Sequence, residues 1–270
     1  MLRSRIQSIA IAAAFSVQWT QAQWIHYPTP GVPRTANGKP NLSAPAPRAA
    51  DGKPDLSGIW GWEDNRPCPP DGCADQKVGQ EFINIGWSIK EGLPFQPWAA
   101  ELRKTRAASN NKDDPQTRCL PRGAVRVLTD GLYKKFVQAP GLLLILSERN
   151  ASYRQIFTDA RPMPADPNPS WNGYSSGKWD GDTLVIQTTG FLDGSWLDAG
   201  GTPLTEAAKV TERFRRVNFG TLEVAITVDD PKAYTRPWTV TLHQPIVVDT
   251  ELLDYICLEN EKDVSHLVGK

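Results

Sequence analysis

AKVTERFRRVNFGTLEVAITVD, residues 208–229, carries two runs of alternation around one turn signal. In the first run Val210, Glu212 and Phe214 fall on one face, with Thr211 and Arg213 on the other. A side-chain period of two marks a β-strand with one buried face. The second run puts Leu222, Val224, Ile226 and Val228 on a single face, and Asn218-Phe219-Gly220 turns the chain between them. The same texture extends outward. Strands are predicted at 124–129, 134–147, 152–158, 172–179, 183–189, 208–217, 221–229, 237–248 and 250–258, with further turns at Asp180-Gly181, Asp229-Asp230-Pro231 and Val248-Asp249-Thr250. Short strands joined by tight turns, mostly without helices between them, describe an antiparallel meander, which loses its exposed edges by closing on itself. The expected fold is mainly β: an antiparallel up-and-down barrel, lipocalin-like in the broad sense, over 56–270.

Upstream the composition differs. Arg3 and Arg5 precede the apolar run Ile9–Val17, and Thr20-Gln21-Ala22 ends in a small residue. This is the pattern of a secretory signal over 1–22, cleaved after Ala22, and it predicts export to the periplasm or the extracellular medium. Residues 28–70 hold ten prolines, so 23–55 reads as an extended Pro-rich arm. The arm contains a duplication: Pro33-Arg34 with Asn37-Gly38-Lys39-Pro40-Asn41-Leu42-Ser43 recurs as Pro47-Arg48 with Asp51-Gly52-Lys53-Pro54-Asp55-Leu56-Ser57. Two copies are too few for a solenoid, and the arm is expected to strap onto the domain surface. A chain starting at Asp55 is expected to fold with a modest loss of stability. A helical insertion is predicted at about 74–108, from Val78, Phe82, Ile85 and Ile89 at helical spacing after Asp75, then a second helix holding Trp98 and Leu102.

Several function classes are disfavoured at this level. Lys+Arg and Asp+Glu number 30 each, and the densest basic cluster is Arg213, Arg215 and Arg216, so no nucleic-acid partner is expected. After the signal the longest apolar run is Leu142–Leu146, too short for a membrane-spanning helix. Three scattered histidines (His26, His243, His266) and the absence of nucleophile-elbow, phosphate-loop and dinucleotide motifs argue for no cofactor. Asp193 and Asp198 lack the surroundings of a calcium loop, and the cysteine spacing does not suit zinc, so no metal is expected. Four cysteines in an exported chain predict two disulfides. Turn chemistry between the first two favours Cys68–Cys73, leaving Cys119–Cys257 to staple an early loop to the last predicted strand.

Two stretches carry a resemblance. Asp51-Gly52-Lys53-Pro54-Asp55-Leu56-Ser57-Gly58-Ile59-Trp60 resembles the N-terminal signature of a largely uncharacterised family of secreted bacterial proteins from soil groups. Tyr153-Arg154-Gln155-Ile156-Phe157-Thr158-Asp159, followed by Trp171 and Gly173 to Val185, resembles a second motif of the same family. The Gly177-Lys178-Trp179-Asp180-Gly181-Asp182-Thr183-Leu184 stretch is also similar to small lipocalin-like barrels. The resemblance implies export and the barrel, and no particular ligand.

Trp171, Tyr174, Trp179 and Trp196 share a segment with Asp180, Asp182, Asp193, Asp198, Glu206 and Glu212. Aromatic bodies beside carboxylates suit a pocket for an aromatic, sterol-like or sugar ligand, although the same aromatics also fill barrel ends. Tyr153 and Arg154 join Trp171, Tyr174, Trp179 and Trp196 as expected ligand contacts. Glu212 shares its face with apolar residues, which fits either an acid/base or ligand anchor, or a salt bridge to Arg154, Arg161 or Arg213. The long Gly190–Glu206 loop is expected to cover the pocket, with Trp196 as lid. The function predicted is an exported binder of a small, partly apolar or aromatic ligand. The alternatives are a metal-independent acid/base enzyme (lyase, isomerase or hydrolase) using Glu212 or Asp198, and a non-catalytic envelope interaction protein. Oligomeric state is not legible.

Overall fold

Alternating burial recurs along strand after strand, and these strands close into a barrel. The computed structural model describes residues 28–62, 84–86 and 88–259. The predicted signal peptide, Cys68, Cys73, Val78, Phe82, His26 and His266 lie outside them. The described strands are β1 (Gly58–Trp60), β2 (Lys134–Ala139), β3 (Leu142–Ser147), β4 (Ser152–Phe157), β5 (Tyr174–Asp180), β6 (Thr183–Thr189), β7 (Ser195–Trp196), β8 (Pro203–Leu204), β9 (Lys209–Asn218), β10 (Thr221–Asp229) and β11 (Trp238–Val247). Around the barrel the order is β1-β11-β10-β9-β6-β5-β4-β3-β2, while β7 and β8 pair separately within the 190–208 loop. No described helix is long and apolar enough to cross a membrane.

The alternation selects the lumen. Val210, Glu212, Phe214 and Arg216 of β9 are buried, and so are Leu222, Val224, Ile226 and Val228 of β10. Register sets Val228 opposite Val210, Ile226 opposite Glu212 and Val224 opposite Phe214. Trp60, Phe136, Ile145, Ile156 and Leu242 complete much of the interior, with Phe136 stacked on Phe214 at 5.8 Å between ring centroids. The barrel is therefore substantially filled by side chains, and this apolar burial is the main force holding it closed.

Besides the predicted strand 134–147, which turns at Pro140-Gly141 (Gly141 φ +74°) into the antiparallel hairpin β2–β3, four predicted elements differ from the structure. The meander is not wholly antiparallel, because β4 and β5 run parallel, with Ile156 opposite Ser175. The segment 158–173, which includes Pro162, Pro164, Pro167 and Pro169, is long enough to carry the chain back before β5 begins, as a parallel pair requires. Second, 124–129 is not a strand. Arg126–Thr129 forms a 3₁₀ turn whose four residues are all buried: Val127 and Leu128 plug the barrel end, while Arg126 bonds Asp114 and Thr129 Oγ1 donates to Arg126 O. Third, 250–258 forms no strand. Asp249 takes φ +59° and turns the chain away, and among the described residues beyond it only the Arg149–Tyr255 bridge pairs. Fourth, α1 (Pro97–Ala108) accounts for the second predicted helix, whereas Ile85 and Ile89 sit in turns.

The duplication in the arm is a duplication of structure. Thr35 N–H donates to Lys39 O, Gly38 N–H to Thr35 O and Asn41 N–H to Pro33 O, and the second copy repeats the set as Ala49 to Lys53, Gly52 to Ala49 and Asp55 to Pro47. Gly38 and Gly52 take φ +80° and +79°, which glycine adopts without strain. Each loop also has one arginine on its own glycine carbonyl and on a distant carboxylate: Arg34 on Gly38 O and Asp249, Arg48 on Gly52 O and Asp182. The arm thereby straps two different turns of the barrel. Leu42 lies so close to Gly220 that a Cβ there would meet Leu42 O at 2.8 Å.

Candidate functional site

The two barrel ends are closed differently. At the end bearing the β2–β3 and β5–β6 turns, the arm lies across the mouth over a cavity of about 360 Å³ lined in part by Ala49, Asp51, Leu143 and Trp179. At the opposite end, where β3 turns into β4, the 3₁₀ plug and the segment after β11 leave a second cavity of about 300 Å³. Its apolar lining includes Pro121, Val127, Ile145, Tyr153, Ile256 and Leu258, and its polar lining includes Arg122, Ser147, Arg149, Ser152, Arg154 and Asn172. The Cys119–Cys257 disulfide forms part of the wall. Tyr153 and Leu258, 60% and 55% exposed, form its rim together with Ile256.

Beside this cavity lies a buried charge cluster. Asp130 accepts from Arg149 Nε at 2.8 Å and Nη2 at 3.0 Å, and Arg122 Nη1 stands 3.2 Å from the same carboxylate. Burial pushes the Asp130 carboxyl up. The hydrogen bond from Arg149 and the charges of Arg122, Arg149 and Lys134 outweigh that and hold it below its usual range. Lys134 Nζ donates to Asp130 O at 3.0 Å. Arg126 makes a two-pronged contact with Asp114, at 2.7 and 2.6 Å, which anchors the plug. Glu148 is occupied by the backbone N–H groups of Tyr133 and Leu253.

Lys134 is fully buried, and burial pushes its ammonium down to about 8. An unfolded lysine keeps its proton to about 10.5, so between these values the unfolded chain binds more protons and stability rises with pH. The penalty of burying the charge, about 3 kcal/mol for a shift of this size, is full below pH 8 and released by about pH 10.5. Urea unfolding of the wild type at pH 7.5, 9 and 10 should show this rise, and Lys134→Met should flatten it. The same slope in both proteins would sink the assignment.

The predicted site residues separate into several places. Tyr153 and Arg154 line the cavity at the plugged end. Arg154 reaches across the lumen to Glu212: Nη1 donates to Glu212 Oε1 at 2.9 Å, and Nη2 contacts Oε2. Ser175 and Thr188 accept further Arg154 bonds at 3.1 and 2.9 Å. Trp179 belongs to the arm-end cavity. Tyr174 lies beside Phe157, with ring centroids 5.3 Å apart. Trp171 is half-buried, its carbonyl close over Gly123. Trp196 is buried with the Arg106 guanidinium 4.3 Å above its ring, so it is packed into the 190–206 loop. Asp198 organises that loop, accepting from Ile85 N at 2.9 Å, Thr202 N at 3.1 Å and Thr202 Oγ1 at 2.7 Å.

Arg122 and Arg149 are absent from the sequence-based expectation because both lie outside strands and follow no period. The sole available signal is proximity in sequence, Arg122 following Cys119 and Arg149 the β3 run. No protein-family model matches the chain, and no curated protein matches it.

Proposed function

We propose that this protein is an exported binder of a small, partly apolar molecule held in the cavity at the plugged end of the barrel. The observation that carries the reading is the cavity itself: about 300 Å³, bounded by an exposed apolar rim on one side and buried polar groups on the other. That size is at the lower end for ligand pockets and suits one or two fused rings. Export is supported by the N-terminal pattern and by the Cys119–Cys257 disulfide, since disulfides persist in oxidising compartments. The acid/base alternative has less to draw on, because Glu212 and Asp198 both spend their oxygens on internal partners.

Titration with 2-naphthamide, an uncharged two-ring probe, followed by tryptophan fluorescence or calorimetry, tests the reading. Saturable one-site binding is expected, weakened roughly tenfold by Tyr153→Ala with Ile256→Ala, which remove apolar contact area from the rim. Absence of saturable binding, or binding indifferent to the rim, would remove the proposal.

A further inference from the structure

Two Asn-Gly dipeptides occur in the sequence, Asn37-Gly38 and Asn172-Gly173. A following glycine lets its backbone nitrogen approach the asparagine side-chain carbon, so both could cyclise. The fold treats them differently. In each, the glycine N–H donates to the carbonyl three residues back, Gly38 to Thr35 O at 2.9 Å and Gly173 to Ser170 O at 3.2 Å, so attack needs the turn to flex. Gly173 has no room for that: a Cβ there would meet Thr189 O at 2.6 Å and Thr188 Cγ2 at 2.8 Å. Asn172 Nδ2, the group that would leave, donates to Tyr153 O at 2.9 Å. A Cβ at Gly38 would meet nothing within 4 Å, and Asn37 is exposed. Asn37 Oδ1 accepts from Thr35 Oγ1 at 2.5 Å and from Lys39 N–H at 3.4 Å, while its Nδ2 makes no bond among the described residues. Those two donors face the oxygen on which negative charge develops when the carbon is attacked.

The duplication in the arm shows the product in place. Asp51 stands in the second loop where Asn37 stands in the first, and its Oδ1 accepts from Lys53 N–H at 3.0 Å, as Asn37 Oδ1 does from Lys39. The same turn therefore accommodates an aspartate with its backbone hydrogen bonds intact.

We propose that Asn37-Gly38 is a self-modifying site, which deamidates in the folded protein and loosens the first strap of the arm. The Gly38 nitrogen attacks Asn37 Cγ and forms a C–N bond. Its proton leaves with the Nδ2 amide group as ammonia, closing a cyclic imide. Water then opens the imide at one of its two carbonyls. Opening at the former side-chain carbonyl restores the backbone and leaves an aspartate. Opening at the Asn37 main-chain carbonyl leaves an isoaspartate, whose backbone is lengthened through Cβ. The aspartate keeps the turn, as Asp51 does. The isoaspartate moves Gly38 O away from Arg34 Nη1, which it meets at 3.1 Å, and draws that guanidinium off Asp249.

The test ages the full chain at pH 7 and pH 9, then maps its peptides by mass spectrometry with chromatographic separation of aspartate from isoaspartate. Asn37 should convert roughly tenfold or more faster than Asn172, because a packed turn reacts only from a locally opened chain. Both products should appear at position 37. In urea, where the fold no longer distinguishes the two glycines, the rates should converge. In the isoaspartate fraction the Asn41 amide, bonded to Pro33 O at 2.7 Å, should exchange faster with solvent. The Asp55 amide of the second loop, bonded to Pro47 O at 2.9 Å, is the reference that should not change. Equal rates at both sites in the folded chain, or an Asn37 that reacts in urea alone, overturn the self-modifying site. Unchanged Asn41 exchange in the isoaspartate fraction overturns the loosening of the strap.

Discussion

Glu212→Gln should destabilise the protein by about 3–5 kcal/mol, the cost of leaving one member of a buried ion pair uncompensated. Glu212 has no solvent exposure, and Arg154 is 2% exposed. The pair is held by a belt of inward residues from four strands consecutive in the barrel: Arg154 of β4, Ser175 of β5, Thr188 of β6 and Glu212 of β9. Register brings them together, with Ser175 opposite Thr188 and Glu212 opposite Ile186. Removing the carboxylate charge leaves the guanidinium with two hydroxyls and an amide and without its paired counter-charge. For a domain of this size Tm should fall by roughly 10 °C. Arg154→Met with Glu212→Leu should recover most of the loss, because an apolar replacement of both partners leaves no buried charge unpaired, and Ser175 and Thr188 still bond each other at 3.0 Å. Thermal melts of the single and double variants decide the matter. A single variant as stable as the wild type would mean that water reaches the pair. Equal losses in single and double variants would mean that the pair fills volume and its charge is incidental.

That pair also marks how far the sequence was legible. Alternation in 208–229 places Glu212 inward, because a period of two leaves no choice once neighbours are apolar. It offers Arg154, Arg161 and Arg213 equally as partners. Only closure of the barrel brings β4 across from β9 and selects Arg154, while Arg213 turns outward to Asp180 and Arg161 to Asp159. The strands of the meander were readable for the same local reason. β1 was not, because three residues show no period, although it joins β11 to β2 and closes the barrel. The 3₁₀ plug differs in the opposite direction: Ala124 to Leu128 is buried throughout, and a run that is apolar but for Arg126 reads as a strand when its tertiary surroundings are unknown. Arg122 and Arg149 are loop residues whose role depends on being gathered around Asp130, a long-range event with no local signature.

Cys119 and Cys257 do pair, across 138 residues, although the segment carrying Cys257 is not a strand. In the chain-entropy account, removing a cross-link over so long a loop costs about 5 kcal/mol, through the freedom returned to the unfolded chain. Cys119→Ser with Cys257→Ser should therefore lower the urea midpoint and bring Tm down by roughly 10 °C or more. Part of that loss has a local alternative. Once uncoupled, the segment after β11 is tied mainly by Leu253 and Tyr255 N–H to Glu148 and by Cys257 N–H to the Asn150 side chain. If these bonds fail separately, the segment opens while the barrel stays folded. Hydrogen exchange at Tyr255 and Cys257 would then accelerate while global unfolding shifts by only a degree or two. A large fall in the urea midpoint with these amides still protected up to global unfolding assigns the disulfide to the stability of the whole barrel. Fast exchange with a near-constant midpoint contradicts that assignment and makes the disulfide the latch of the cavity wall, a role in which its reduction should weaken 2-naphthamide binding without unfolding the protein.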